Sequence, residues 1–167
     1  MAEPIRMYLN KGAWTLVDAE DWDALKGFRW RTAKRSGVTY ACRTLRRAEC
    51  GGKSGASVLL HRVILQPPAG FVVDHINGDG LDNRRANLRV ATISQNLQNQ
   101  RQRAPRVGPQ ASRFKGVRFN QNRWEARIGV SGKMLFIGCF DTEEQAALAY
   151  DAEAKLHFGE FAKCNNP

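Results

Sequence analysis

The sequence predicts an α+β fold in two modules joined by a basic linker. Three observations support this prediction. Short runs of alternating apolar and polar residues, separated by turn residues, fill the first 65 positions and recur from position 112 onward. A strand, a loop, a second strand and a helix are predicted in succession from residue 71 to about residue 102. Between the modules, Pro105, Gly108 and Pro109 break any helix and indicate a linker.

The charge of the chain favours a polyanionic partner. The formal net charge is +10 and the sequence pI is about 10.0, so nucleic acid is the first candidate and an anionic membrane surface the second. Residues 98–118 hold six Lys and Arg residues and no acid. A linker of this kind is expected to track a phosphate backbone; the alternative is a solvated tether between the modules.

Several classes of protein are excluded by the same composition. No run approaches the roughly 20 apolar residues of a membrane span, and Met1–Lys11 has no apolar signal-peptide core. We therefore expect an intracellular location. The four cysteines have no zinc-ligand spacing, so free thiols are expected.

The N-terminal region is predicted to be rich in β-structure. Ala13–Asp18 is a candidate strand, and Asp21–Lys26 is a candidate short helix that ends at Gly27. Two alternating runs, residues 28–32 and 38–43, are predicted strands with Ser36-Gly37 as the turn between them. A longer apolar run then covers residues 58–65.

The chemistry is predicted to centre on residues 71–100. Phe71–His75 is an apolar strand that ends in an Asp-His pair, and a turn-forming Asn77–Gly80 cluster follows it. Leu88–Ala91 is a second strand. Thr92–Gln95 has the form of a capping box, which predicts a helix running from there to about Gln102.

These residue types suit hydrolysis of a phosphodiester. His75 is a candidate general base because imidazole titrates near neutral pH. Asp74 offers a hard oxygen ligand for Mg²⁺ or Mn²⁺. Asn96 lies in the predicted helix, with Asn99 and Gln100 on the same face. One carboxylate and one amide make few protein ligands, which suits an ion that keeps water and phosphate oxygens.

The same residues carry a family resemblance. The motif consists of Asp74–Asp79, Asp82–Arg85, Asn87–Arg89, Thr92, Gln95, Asn96 and Asn99. It resembles the HNH endonucleases, in particular the homing enzymes with a ββα-metal fold. His61-Arg62 upstream is also similar to that group. The resemblance covers residues 58–100.

The resemblance implies a role for each motif residue. His75 matches the general base, and Asp74 and Asn96 match the metal ligands. Asn87 matches the central Asn that holds the loop and the histidine in place; Asn83 is the second candidate for that role. Asn99 is a candidate ligand or an ordinary helix residue. No His lies near positions 96 to 100, so a metal clasp of two histidines is excluded.

The C-terminal module is predicted to be a small sheet with one helix. Three runs, at residues 112–119, 123–128 and 134–140, are separated by turn residues. In the second run, Trp124, Ala126 and Ile128 alternate with Arg123, Glu125 and Arg127. An Ala-rich helix is predicted from Asp141 to Phe158, with Gly159 as its stop.

This module resembles a second family. The motifs that carry the resemblance are Lys115–Arg118, Trp124–Ile128, Ile137–Thr142 and Ala146–Asp151. They look like the Apetala-two, or ethylene-response-factor, DNA-binding domain of plant regulators. The resemblance implies DNA contact from the open face of the sheet. Met134 and Phe136 depart from the Arg and Trp of the plant domains. The candidate DNA contacts, of which the first three precede this module, are Arg101, Arg103, Arg106, Arg113, Lys115, Arg118, Arg123, Glu125, Arg127 and Phe136.

Together these predictions describe a metal-dependent DNA endonuclease that nicks duplex DNA as a monomer, with Mg²⁺ or Mn²⁺ and no small-molecule cofactor. The predicted parts are a β-rich region at 1–57, the nuclease module at 58–102, the linker at 103–111 and the DNA-binding domain at 112–167. Two alternatives remain open. One is a DNA-binding regulator with an inactive nuclease module. The other is an RNA-binding protein that uses Phe119 and Phe136 to stack bases.

Overall fold

A computed structural model describes residues 3–51, 55–99, 108 and 111–166. The chain divides into two compact units, Met1–Ile93 and Ser94–Pro167. Both combine helices with small antiparallel sheets, which confirms the mixed class of the fold. Among the described residues, no helix has both the length and the apolar character needed to cross a membrane.

The first unit contains three small sheets. Strands β1 (Ile5–Tyr8) and β2 (Trp14–Val17) form a hairpin, and helix α1 (Ala19–Leu25) follows. Strands β3 (Arg31–Arg35), β4 (Val38–Thr44) and β5 (Ser57–Leu59) form an antiparallel sheet, followed by helix α2 (Leu60–Leu65). Strands β6 (Val72–His75) and β7 (Leu88–Ala91) pair antiparallel. Helix α3 (Ile93–Gln98) begins at the end of this unit.

One hydrophobic core serves the whole first unit. Met7, Val17 and Trp30 from the N-terminal region pack in one cluster with Leu60, Val73 and Leu88 from the following segments. Ion pairs add to this connection, since the Arg85 guanidinium binds the Asp21 carboxylate of α1 at 2.7 Å. The boundary predicted at residues 57 and 58 therefore does not separate two cores.

The second unit contains one sheet covered by one helix. Strands β8 (Val117–Asn120), β9 (Arg123–Val130) and β10 (Lys133–Phe140) form a sheet in the order β10-β9-β8, and helix α4 (Glu143–Phe158) follows. The two hairpin turns have positive φ at both central residues, as tight hairpins require. Thr142 closes a capping box with Gln145 at the start of α4.

Small residues let α4 lie close to its sheet. Ala146, Ala147 and Tyr150 on the helix pack with Ala126 and Ile128 on β9. At Gly116, a β-carbon would lie 2.2 Å from the Tyr150 ring, and the φ there is +76°. No larger side chain fits at this position without a shift of its neighbours.

Two predicted segments differ from the structure or lie outside it. Helix α3 ends at Gln98, four residues before the predicted end, and Asn99 follows in a turn. Of the predicted linker at 103–111, only Gly108 and Ala111 are described. Arg101, Arg103 and Arg106, three of the predicted DNA contacts, lie outside the described residues.

Candidate active site

The Asp-His pair lies at the end of β6, where the strand gives way to a loop. Asp74 and His75 are 4% and 6% exposed. Asp74 lies opposite Arg89 of β7 in the strand register. The Arg89 guanidinium donates to Asp74 Oδ2 through Nε at 2.9 Å, and its Nη2 lies 2.8 Å from the same oxygen. The buried carboxylate is thus held in place by a charge-assisted hydrogen bond from the neighbouring strand.

Asn87 fastens the loop that follows His75. Its Oδ1 accepts from the Asn77 amide nitrogen at 3.0 Å. Its Nδ2 donates to Asn77 Oδ1 at 3.0 Å and to the Asp82 carbonyl oxygen at 2.8 Å. These three bonds fold the loop back on the strand pair. Asn87 therefore braces the loop, and its role as the central Asn of the family stays a prediction.

Asp82 is a second buried carboxylate in this loop, and its partners satisfy it. Oδ2 accepts from Asn77 Nδ2 at 2.9 Å, and both oxygens accept from the Arg84 guanidinium at 2.7 Å. The hydrogen bond from Arg84 holds the pKa of Asp82 below its usual value. Asp82 therefore remains an anion that braces the loop.

His75 belongs to a cluster of three rings from three different elements. The His61 ring of α2 meets it edge to face at 4.9 Å between centroids. The Tyr40 ring of β4 lies 5.8 Å from His75 and 5.6 Å from His61. No pattern in the sequence indicates Tyr40 as a neighbour of His75, because β4 is distant from β6 along the chain and an aromatic residue is ordinary in a strand.

Burial keeps both histidines neutral near pH 7. Desolvation lowers the pKa of His75, and the hydrogen bond with Asn83 and the charge of Asp74 oppose that shift. Desolvation, with a smaller contribution from His75, lowers the pKa of His61 to about 3. His61 Nδ1 is buried and has no hydrogen-bond partner among the described residues. A neutral His75 has one unprotonated nitrogen, which a general base requires.

The predicted ligands on α3 remain predictions. Asn96 is half-buried in this short helix, and Asn99 is buried just beyond its end. Among the residues that the structure describes, no group of three or more His, Cys, Asp and Glu side chains is arranged to hold a metal.

In the second unit, the predicted DNA contacts centre on Glu125. This carboxylate is 7% exposed and accepts from Arg118 Nε at 2.8 Å, Arg127 Nε at 3.2 Å and Asn120 Nδ2 at 2.7 Å. Hydrogen bonds from Asn120 and Arg118 lower its pKa. Glu125 holds two half-exposed arginines side by side on the open face of the sheet, and its contact with DNA stays a prediction.

The other predicted DNA contacts differ in their exposure and in their partners within the protein. Phe136 is 57% exposed, and the Arg127 guanidinium lies 5.6 Å from the centre of its ring. Arg123 pairs with Asp141 at 3.0 Å. Arg113 pairs with Glu144 at 2.7 Å. Lys115 Nζ donates to the Gln98 carbonyl oxygen at 2.7 Å, and burial lowers its pKa.

The buried Asp-His pair and the loop fastened by Asn87 lie in the segment that a known family model matches. The HNH endonuclease family model matches residues 58–98. An uncharacterised HNH endonuclease of Acanthamoeba polyphaga mimivirus is 32% identical over 161 residues, covering 93% of this chain and 76% of that protein. The chain belongs to the HNH endonuclease family and is a DNA nuclease.

Two further similarities each cover a smaller share of the chain. Protein 3.8 of Escherichia phage T7 is 31% identical over 98 residues, which is 58% of this chain and 77% of that protein. APETALA2-like protein 2 of Oryza sativa is 43% identical over 58 residues. That match covers 33% of this chain but only 13% of the plant protein, so it concerns a single domain-sized segment.

Proposed function

We propose that this protein is a divalent-metal-dependent HNH endonuclease of the homing type, which nicks duplex DNA and holds it with a C-terminal domain of the Apetala-two type. One observation supports the catalytic part most directly. Asp74 and His75 are adjacent, buried and held by side chains from β7 and the loop. Such support fixes a general base and a ligand before the substrate arrives.

In this proposal His75 takes a proton from the attacking water. The O–H bond of the water breaks, an N–H bond forms on the imidazole, and the water oxygen bonds to phosphorus while the bond from phosphorus to the leaving sugar oxygen breaks. The leaving oxygen then takes a proton from solvent. Asn87 keeps the loop closed behind His75 through its three hydrogen bonds. The neutral ring that burial produces is the form that accepts the proton.

HNH nucleases generally use a divalent metal ion, and the residues here fit one. The candidate donors are oxygens, the Asp74 carboxylate and the Asn96 amide, which suit Mg²⁺ or Mn²⁺. Two protein ligands leave positions for water and phosphate oxygens. The bound ion would stabilise negative charge on the phosphate and the leaving oxygen.

The test of catalysis is plasmid cleavage with Mg²⁺ and with a chelator. His75→Ala is expected to lower the cleavage rate by at least about 100-fold, as loss of a general base does, with little change in DNA binding. His157→Ala, in α4 of the other unit, is the matched control. Near-normal cleavage by His75→Ala would refute the assignment.

The same assay tests the metal ligands. Asp74→Asn and Asn96→Ala are each expected to raise the Mg²⁺ concentration needed for half-maximal cleavage, whereas Asp23→Asn on the surface of α1 leaves it unchanged. If the unaltered protein binds DNA but no metal supports cleavage, the chain is a DNA-binding regulator with an inactive nuclease module.

The proposed DNA-binding surface is the open face of the β8–β10 sheet. Arg118 and Arg127 are 48% and 40% exposed in their side chains, and Glu125 holds them together. A small sheet of this kind can enter a DNA major groove. The partial match to the plant protein supports this proposal only at the level of one segment of 58 residues.

Binding is tested by measuring affinity against salt. Arg127→Ala is expected to weaken duplex binding and to reduce the slope of log K against log salt by about 1 if the arginine contacts a phosphate. Lys155→Ala, in α4, is the matched control because the helix packs on the opposite face of the sheet. Equal slopes for both variants would exclude the sheet face as the DNA contact.

A further inference from the structure

We propose that Thr15 and Asn83 are positioning residues that hold His75 in the tautomer with its proton on Nε2, so that Nδ1 is the nitrogen that takes the proton from water. This inference rests on the proposed role of His75 as general base. It also gives the N-terminal region, which the sequence left without a function, a direct part in the active site.

The backbone of β2 holds the loop that carries Asn83. Leu16 donates its amide to the Leu81 carbonyl oxygen at 2.9 Å, and the Leu16 carbonyl oxygen accepts from the Asn83 amide at 2.9 Å. Leu16 and Asp82 thus form a parallel bridge. The neighbouring residue on the strand, Thr15, is fully buried, as is Asn83, so water does not compete for their side chains.

The hydrogen of the Thr15 hydroxyl is already committed. Oγ1 donates to the Leu81 carbonyl oxygen at 2.6 Å. A hydroxyl has one hydrogen to donate, so toward Asn83, 2.8 Å away, the Thr15 oxygen can only accept. The atom of Asn83 that faces Thr15 must therefore be the amide nitrogen, Nδ2.

A second acceptor fixes the amide in the same orientation. Nδ2 also donates to the Gly80 carbonyl oxygen at 3.3 Å, and a carbonyl oxygen cannot donate. With Nδ2 committed to two acceptors, Oδ1 is the atom directed at His75. The oxygen and nitrogen of this amide are thus assigned by the chain of partners and not by their positions alone.

The tautomer of His75 follows from this orientation. Asn83 Oδ1 lies 3.3 Å from His75 Nε2, and an amide oxygen has no proton to give. Nε2 must therefore carry the hydrogen of this bond. In the neutral ring the other nitrogen, Nδ1, then carries the basic lone pair.

The same bond has a role during the reaction. When Nδ1 takes the proton from water, the ring becomes a cation with hydrogens on both nitrogens. The Nε2–H bond to Asn83 remains and becomes charge-assisted, which stabilises the cation. In the opposite tautomer, Nδ1 would present a hydrogen and could accept no proton, a fault that costs a serine protease about 10⁴-fold in rate.

The first test is ¹⁵N NMR of the histidine rings in the intact protein without DNA. Signals are assigned with His61→Phe and His157→Gln. A neutral His75 protonated on Nε2 is expected, with a pyridine-like signal from Nδ1. A His75 protonated on Nδ1 would overturn the proposal whatever the cleavage activity, and this measurement needs no variant at the positions in question.

The second test compares variants that keep or remove the chain of partners. Asn83→Leu and Thr15→Val are expected to populate both tautomers and to lower kcat at least about 10-fold with little change in KM. Asn83→Asp keeps an acceptor toward Nε2 and is expected to keep the tautomer. Thr15→Ser keeps the hydroxyl, so the tautomer and kcat should both match those of the unaltered protein. Thr32→Val is the control, because that hydroxyl also bonds to an amide, of Asn10, but away from the site.

The two proposals fail in different ways. If Asn83→Leu folds and retains a single tautomer and full kcat, the positioning role is wrong while His75 remains the general base. If His75→Ala cleaves normally, the general-base assignment is wrong whatever tautomer the NMR spectrum shows.

Discussion

Replacing His61 is expected to weaken the dependence of stability on pH. His61 is 5% exposed, and burial lowers its pKa to about 3 in the folded protein, against about 6.5 in an unfolded chain. As pH falls below 6.5, the unfolded chain binds a proton that the folded protein does not. The free energy of unfolding therefore falls as pH decreases from about 6.5 toward about 3.

The size of the effect follows from these two pKa values. A single proton bound only by the unfolded state contributes up to about 1.4 kcal/mol per pH unit. Between pH 7 and pH 5, protonation of an unfolded histidine with a pKa of about 6.5 amounts to about 2 kcal/mol. In His61→Phe this contribution is absent. Some dependence on pH remains, because the pKa of His75 is lowered in the same direction.

The assay is urea unfolding at pH 7, 6 and 5, followed by tryptophan fluorescence. Trp14, Trp22 and Trp30 all lie in the first unit, so the signal reports mainly on the unit that contains His61. His157→Gln, in the second unit, is the control. A variant whose stability falls with pH as steeply as that of the unaltered protein would refute the reasoning, even if Phe changes the absolute stability at pH 7.

Three further predictions concern packing, salt and products. Gly80→Ala is expected to destabilise the first unit by about 1–3 kcal/mol, the usual cost of overpacking, because a β-carbon there would lie 2.4 Å from the Thr39 carbonyl oxygen. Gly27→Ala, with nothing within 4 Å, is the control, and equal urea midpoints for the two would contradict this. If the six Lys and Arg residues of 98–118 all contact phosphates, log K should fall against log salt with a slope of about −5; a slope near zero would indicate a simple tether. One chain with one candidate base should convert supercoiled plasmid first to open circles, and linear DNA that appears together with the first open circles in a single turnover would point to two chains acting at once.

Local sequence patterns predicted much of the fold. The turn Ser36-Gly37 has positive φ at both residues, as its hairpin requires. Helix α4 ends at Phe158, directly before the predicted stop at Gly159, but it begins at Glu143, two residues after the predicted start at Asp141. The Asp74-His75 pair lies at a strand end, as predicted. In each case the signal lies within a few residues of the element that it determines, so short-range physics is sufficient.

Contacts between distant segments could not be predicted in the same way. Thr15 and Asn83 are 68 positions apart, and an alternating strand gives no indication of which loop it will meet. The place of Glu125 was likewise missed. Alternation puts Glu125 on the outer face of β9, where a carboxylate is expected to be exposed. Arg118 lies across from it on β8, and Arg127 lies two positions further along β9. These two long side chains cover the carboxylate.

The core of the first unit limits how its catalytic segment can be moved between proteins. The segment that matches the family model, residues 58–98, supplies only part of that core. Its apolar side chains pack in one cluster with Met7, Val17 and Trp30 from the N-terminal region. If this segment alone were transferred to a new scaffold, part of its apolar surface would be exposed. It would also lack β2, the strand that hydrogen-bonds to the loop carrying Asn83. Protein engineers who wish to retarget this nuclease should therefore transfer residues 1–98 together, which keeps the proposed metal ligand Asn96, and exchange only the segments beyond Gln98.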